Sequence, residues 1–302
     1  MAIEIPHTVL PARRRIHGRY DARTAPPRSL AKWAYWALNP VPLRVRLARR
    51  VVRALQLGSY ADRIAFDIVE RPHYGFCLYN AAVLAGRLGC RRISAIEFGV
   101  AGGNGLLALE DHAQEIERET GVACDVYGFD TGKGLPAPTD WRDLPYMWKE
   151  GFYDCDVELL RKRLRRAQLI LGDVADTVNE FLASRPAPIG AVMVDLDLYT
   201  STRAALKLFA EPALPRLPRI FCYFDDVTGQ PVQAYNEFTG ELRAIKEFND
   251  DTPKRKFARL ELGRRPFPED WNDRIYVLHS FDHPEYGAYV GPDDDQRPLR
   301  ER

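Results

Sequence analysis

Acidic residues follow five short apolar runs in this chain, and that spacing is its most chemically capable feature. Glu97 stands in ISAIEF and Asp130 closes VYGFD. Asp173 follows LILG, Asp195 and Asp197 sit in VDLDLY, and Asp225 and Asp226 follow YF. Carboxylates seldom gather unless they are paired or bind cations. Asp195, Asp225 and Asp226 together supply three hard oxygen donors, a set that suits Mg²⁺. Asp130, after a second strand, can accept bonds from two ribose hydroxyls. Asp173, after a third, can accept one from an adenine amino group. Plainer uses exist. Asp173 also suits a helix cap, Asp197 reads as a cap rather than a metal ligand, and Asp225-Asp226 also suits a solvated turn.

The first acid is followed by a glycine cluster, GVAGGNG, with Gly99, Gly102, Gly103 and Gly105 ahead of a helix-compatible stretch. Strand, acid, glycine turn and helix is how α/β proteins hold a nucleotide-like ligand against bare backbone. Gly103 to Ala108 matches the dinucleotide pattern GxGxxA, but that pattern should begin directly after the strand. Gly99 stands there, and Ala101 breaks the phase. Glu97 favours a ligand with an amine and a positive sulfur, as S-adenosylmethionine has. Glu97, Gly99, Gly103, Asp130 and Asp173 are therefore the expected cofactor-binding residues.

These residues need a sheet to bring them together. Strands are predicted at Ser94–Phe98, Asp125–Phe129, Gln168–Leu171, Ala191–Leu196 and Ile220–Phe224. Helices are predicted at Gly75–Leu88, Asn104–Glu119, Val157–Arg166, Ala175–Ala183, Ser201–Phe209 and Tyr235–Phe248. Such alternation argues for an α/β, doubly wound, mostly parallel sheet. Lys256–Leu262 and Arg274–Leu278 read as a closing antiparallel pair. Ligands bind beyond the carboxyl ends of the strands in such sheets, where these acids lie.

The remaining sequence bounds the function. Residues 1–60 hold twelve Lys and Arg against two acids, net +10, while the whole chain carries +1, so the other 242 residues carry −9. We divide the chain into a basic N-terminal arm with helices (1–60) and a cofactor-binding domain (61–302). Within the arm, Trp33, Tyr35 and Trp36 precede a break at Asn39–Pro42. LRVRLARRVVRALQL then fits an amphipathic helix expected to pack its apolar stripe on the main domain. Such a helix also suits peripheral membrane contact, and the arm suits exchange between copies of the chain. No nucleic-acid signature beyond charge is present. Five scattered cysteines without a CxxC pair read as reduced thiols of a cytoplasmic protein. Neither a secretory leader nor an apolar run of about 18 residues is evident. The stretch 131–154 carries Trp141, Tyr146, Trp148, Phe152 and Tyr153 and is too long for a simple connection. It reads as a lid over cofactor and acceptor, or as a local aromatic core. His73, in RPHY, is the histidine best placed to act as a base, although a lone histidine is more often structural.

IEFGVAGGNG, GFDTGKGLP, GDV, VDLDLYTST and FDD, in this order, resemble class I S-adenosylmethionine-dependent methyltransferases. More narrowly they are similar to the macrocin and mycinamicin sugar O-methyltransferase family, over roughly residues 74–250. The resemblance implies a Rossmann-like, seven-stranded, mostly parallel sheet with a terminal antiparallel strand. It implies S-adenosylmethionine and Mg²⁺ as cofactors and a sugar or glycan hydroxyl as acceptor. Residue by residue, Asp195, Asp225 and Asp226 match the metal ligands, and Glu97, Gly99, Asp130 and Asp173 match cofactor positions. Asp195, and after it His73, is then the residue expected to take the acceptor's proton. Two other readings compete. DLD resembles the DxD of metal-dependent glycosyltransferases, and a non-catalytic binding protein could keep the same fold.

Overall fold

The computed structural model describes residues 43–55, 57–262 and 269–291. The arm over residues 1–27, Trp33, Tyr35, Trp36 and the break at 39–42 lie outside them, as does part of the turn after Leu262. Seven strands make one sheet in the order β3-β2-β1-β4-β5-β7-β6. They are β1 (Arg92–Phe98), β2 (Ala123–Asp130), β3 (Gln168–Leu171), β4 (Ile189–Val194), β5 (Arg216–Phe224), β6 (Arg255–Arg259) and β7 (Ile275–Ser280). The first five are parallel to one another. The closing antiparallel pair is present, and β7 runs against both its neighbours, β5 and β6. The reversed strand is thus the last in the chain but not the edge of the sheet. The crossover from β5 to β6 leaves a one-strand gap, and a short return fills it antiparallel.

The helices are α1 (Leu43–Leu55), α2 (Tyr60–Ala65), α3 (Pro72–Arg87), α4 (Asn104–Thr120), α5 (Val157–Arg163), α6 (Val174–Ala183), α7 (Tyr199–Leu206) and α8 (Gly240–Asp251). They cover both faces. β4 is accordingly buried at every position, as a continuous apolar run requires. Along β1, Ile93 and Ala95 pack with α3 and α4, whereas Ile96 and Phe98 pack with α6, α7 and α8. This alternation puts Glu97 on the α3/α4 side. Strand order reverses between β1 and β4, which makes the ends of these two strands the natural crevice of the sheet.

α1 reverses its expected orientation. Leu47, Val51 and Leu55 face outward, with exposures of 50%, 51% and 64%. Arg46, Arg49 and Arg53 face inward beside the buried Val45, whereas Arg50 is exposed. Arg49 bridges Asp67 at 3.0 Å and Glu269 at 3.1 Å, and Arg53 Nε donates to the Ile68 carbonyl. Two carboxylates on remote segments, whose side chains are only 1% and 3% exposed, need this guanidinium. Breaking a buried ion pair costs about 3–5 kcal/mol, which opposes rolling the helix to bury the three aliphatic side chains. Among the described residues no helix is long and apolar enough to cross a membrane.

Candidate active site

A cavity of about 1060 Å³ runs along the carboxyl ends of the strands. Pockets for a single drug-sized ligand usually fill about 300–1,000 Å³, so this one has room for a cofactor and an acceptor. One half is walled by Gly99, Ala101, Asp130 and Asp173, the other by Asp195, Asp225 and Asp226.

The first half is built by backbone. Gly99 has φ +85°. A side chain there would meet the Asp195 carbonyl, 1.9 Å from where its Cβ would stand. Phe98 accepts a bond from the Asp195 amide, and Phe129 accepts one from Gly99, so three strand ends meet at this turn. Glycine is required here chiefly by the neighbouring strand, while the open side of Gly99 faces the cavity. Asp130 accepts bonds from the amides of Val100 and Ala101 at 2.9 Å and from Gly132 at 2.6 Å. These bonds hold the turn in shape and leave about one of the carboxylate's four acceptor positions for a ligand. Asp173 caps α6 through the Ala175 amide at 2.8 Å, and it also lines the cavity. The cap uses Oδ1 alone.

Two expected cofactor residues do not reach the cavity wall. Gly103 lies behind it, where a Cβ would stand 2.4 Å from Leu160. Glu97 is 1% exposed because its side chain turns toward α3 and α4. Its Oε1 accepts from the Tyr74 hydroxyl at 2.7 Å and abuts Gly105, where a Cβ would stand 1.8 Å away. Burial pushes the Glu97 carboxyl up to about 7, against the opposing pull of Arg71 and Tyr74. Its Oε2 is buried without a hydrogen-bond partner.

In the second half, Asp195, Asp225 and Asp226 each offer one carboxylate oxygen within 4.8 Å of the other two. Burial, then the charges of Asp225 and Asp226, drive the Asp195 carboxyl well above the ordinary range. Asp226 is pushed up to about 7 by burial and then Asp225. Asp197 is not the helix cap the sequence suggested. Leu198 is the first flanking residue of α7 and no side chain caps that helix. Asp197 adopts φ +59° and lies buried close to Asp226. Burial and then Asp226 raise its carboxyl too. Cations supply partial relief. Arg274 pairs with Asp225 at 2.5 Å, and Arg71 lies close enough to Asp195 to oppose its rise.

The sequence reading missed Glu241. It is fully buried in the first turn of α8 and accepts from the amides of Asp226 at 3.0 Å and Leu196 at 3.4 Å. It therefore ties together the two loops that carry the acids. Tyr235, whose hydroxyl donates to Asp226 Oδ1 at 2.5 Å, was also missed. A glutamate in a polar helix start gives no sign of burial, so only the fold exposes its role. His73 lines the cavity and stacks on Tyr223 with ring centres 4.2 Å apart. Arg71 beside it has φ +44°, and its carbonyl is bonded by His112 Nε2 at 3.1 Å.

The stretch 131–154 divides between the two readings given for it. Trp148 is buried with Leu144 and Leu198, and Asp143 accepts from the amides of Thr139, Asp140 and Thr200. That part is a local core. Leu135, Pro136, Trp148 and Tyr153 line the cavity, whereas Trp141 is 66% and Tyr146 62% exposed.

The donor set tests which groups fit. Three carboxylate oxygens converge in an excess of negative charge, and Asp226 Oδ2 is buried without a hydrogen-bond partner. A hard divalent cation fits these residues. A nucleoside-bearing cofactor fits the half floored by Asp130 and Asp173.

No family model matches the chain, and no curated protein does. Solved structures do. CalS11, a calicheamicin methyltransferase, is 21% identical over 87% of this chain and 93% of its own, with a TM-score of 0.48. The O-methyltransferase NovP is 13% identical over 70% and 80%, with a TM-score of 0.47. The mycinamycin-pathway methyltransferase MycE, solved with Mg and SAH, is 15% identical over 74% and 51%, at 0.35. The likeness is one of fold.

Proposed function

We propose that the chain is an S-adenosylmethionine-dependent O-methyltransferase that acts on a hydroxyl of a sugar or glycosylated acceptor with Mg²⁺ bound. The observation that carries this reading is the division of one cavity into a backbone-built half and a half lined by crowded carboxylates. Gly99, Asp130 and Asp173 would hold the cofactor, and Asp195, Asp225 and Asp226 the ion. When bound, the cofactor supplies an electrophilic methyl group on a positive sulfur, and the ion favours ionisation of a nearby hydroxyl.

The chain's own part is positioning and proton transfer. Asp195 joins the halves: its main chain is bonded to the end of β1 beside Gly99, and its side chain belongs to the acidic group. Asp195 offers a carboxylate oxygen in the acidic group, where a hydroxyl on the proposed ion would stand, and is the first candidate to take that hydroxyl's proton. His73, stacked on Tyr223 at the wall, is the second candidate base. The stretch 131–154, anchored at Asp143 and Trp148, would exclude water as the lid over both ligands. Glu97 would act from behind the wall by fixing Tyr74 and the start of α4. Five free cysteines, four of them buried, support a reducing compartment.

The test is a thermal-shift and transfer experiment. S-adenosylhomocysteine should raise the melting temperature, and nucleotide sugars should not. A labelled methyl group should pass to a pooled glycan extract with Mg²⁺ and not with EDTA. Stabilisation by nucleotide sugars alone would favour the glycosyltransferase reading, and equal transfer in EDTA would remove the metal.

A further inference from the structure

The three acids of the proposed ion site have different kinds of partner. Arg274 pairs with Asp225, and Arg71 stands close to Asp195. Asp226 Oδ1 instead accepts from a neutral group, the Tyr235 hydroxyl, at 2.5 Å. A guanidinium beside a carboxylate offsets charge that a cation would use, whereas a phenol fixes direction and leaves that charge in place. A chain of donors sets the direction of the hydroxyl. The main-chain amide of Gln230 can only donate, and it donates to Gln233 Oε1 at 2.7 Å. This identifies the other end of the Gln233 amide as nitrogen, and Nε2 donates to the Tyr235 hydroxyl oxygen at 3.0 Å. The hydroxyl thus accepts from Gln233 and gives its one hydrogen to Asp226. The ring is fixed as well. Tyr235 packs against the apolar cluster of Leu144, Trp148 and Leu198, and the Tyr146 hydroxyl donates to the Gln233 carbonyl at 3.1 Å. Gly229 leaves room for this arrangement, since a Cβ there would stand 2.2 Å from Gln233 Oε1. Gln233 lines the cavity and Tyr235 does not, so Tyr235 can act on a bound ligand only through Asp226.

We infer that Tyr235 is a positioning residue for the ion: its hydroxyl, aimed by Gln233 and anchored through its ring on the core of the 131–154 stretch, fixes the orientation in which Asp226 meets the cation. The inference rests on the ion site proposed above. Glu241 holds Asp226 by its amide, which sets the main chain and not the carboxylate. Of the two carboxylate oxygens, Oδ2 is buried without a hydrogen-bond partner. Without the phenol the side chain would be free to turn and carry its charge away from Asp225, and a cation would have to reorder it on binding. Partners of this kind, one step behind a metal ligand, are worth about 10- to 100-fold in metal affinity.

The experiment is a titration of the full-length chain with Mn²⁺, a hard cation that suits the same oxygen donors, followed by the paramagnetic resonance signal of the free ion. Tyr235→Phe keeps the ring in its apolar cluster and removes only the donor. Its dissociation constant for Mn²⁺ should rise about 10- to 30-fold, while affinity for S-adenosylhomocysteine stays within about twofold. In methyl transfer, the Mg²⁺ concentration that gives half the maximal rate should rise by a similar factor, and saturating Mg²⁺ should restore kcat to within about threefold. A residue that merely packs would lower the melting temperature on substitution and leave the Mn²⁺ constant where it was. Gln233→Leu keeps the tyrosine and takes away the donor that aims it, so the constant should rise about threefold. That variant decides the question if the phenylalanine variant does not fold. Mn²⁺ binding unchanged in the folded variants overturns the inference and leaves the ion site standing. Absence of Mn²⁺ binding by the unaltered chain removes the ion site itself, and the inference with it.

Discussion

The two halves of the cavity hold carboxylates in opposite ways. On the β1-β2-β3 side each acid at the wall is matched by main-chain donors: Asp130 takes three amides, and Asp173 takes one at the start of α6. On the β4-β5 side, Asp195, Asp197, Asp226 and Glu241 push one another above the ordinary range once burial has removed water. Acids of the first kind shape the backbone around a ligand. Acids of the second kind are destabilising until positive charge or protons arrive, and that is what the proposed cation would supply.

The comparison breaks most sharply at Asp225. Asp225→Asn keeps the size of the side chain and removes one charge. It should lower methyl transfer by about 10³-fold, since ion-based charge stabilisation is worth several kcal/mol. Affinity for S-adenosylhomocysteine should stay within about threefold, because that ligand is proposed to sit in the other half. Steady-state rates and titration calorimetry on the same preparation decide it. Equal loss of both would mean that the halves are one unit.

A second test uses pH. Asp226 and Glu97 stand at about 7 in the folded chain, and such groups ionise near 4 when unfolded. Between those values the folded protein binds protons that the unfolded chain has released, so stability must fall as pH rises through that window. The metal-free protein should lose about 5–10 °C of melting temperature between pH 5 and pH 8. Magnesium at about a hundred times its dissociation constant should restore about 2.7 kcal/mol at pH 8 and little at pH 5, where protons compete for the same oxygens. A melting temperature that rises with pH in EDTA would contradict the assigned crowding.

The sequence made one half more legible than the other. Each strand is a short apolar run, so its end, and the acid there, could be read directly. The partners of the acids could not. Glu241 lies fifteen residues beyond Asp226 in a polar helix start, and Arg274 lies in a charged turn nearly fifty residues beyond Asp225. Burial of both depends on tertiary placement. Side-chain direction misled at Glu97, where the pleat turns the acid away from the cavity that Asp130 faces. In α1 periodicity found the helix but gave the wrong inner face, because amphipathic patterns assume that apolar residues are the ones buried. Arg49 overrides that rule through Asp67 and Glu269, whose positions no local pattern ties to residue 49.

The mildest effects are expected where main-chain donors already satisfy an acid, and Asp173 separates its two roles. Asparagine caps a helix about as well as aspartate, whereas alanine costs about 1 kcal/mol. Asp173→Asn should therefore leave the melting temperature unchanged and Asp173→Ala should lower it by about 2–4 °C. If the second oxygen also receives a cofactor donor, both variants should weaken S-adenosylhomocysteine, alanine by about tenfold and asparagine less, since its amide keeps only one acceptor oxygen. Should alanine lower stability while affinity stays level, Asp173 is a cap alone. The cofactor would then be held on this side by Asp130 and the open face of Gly99.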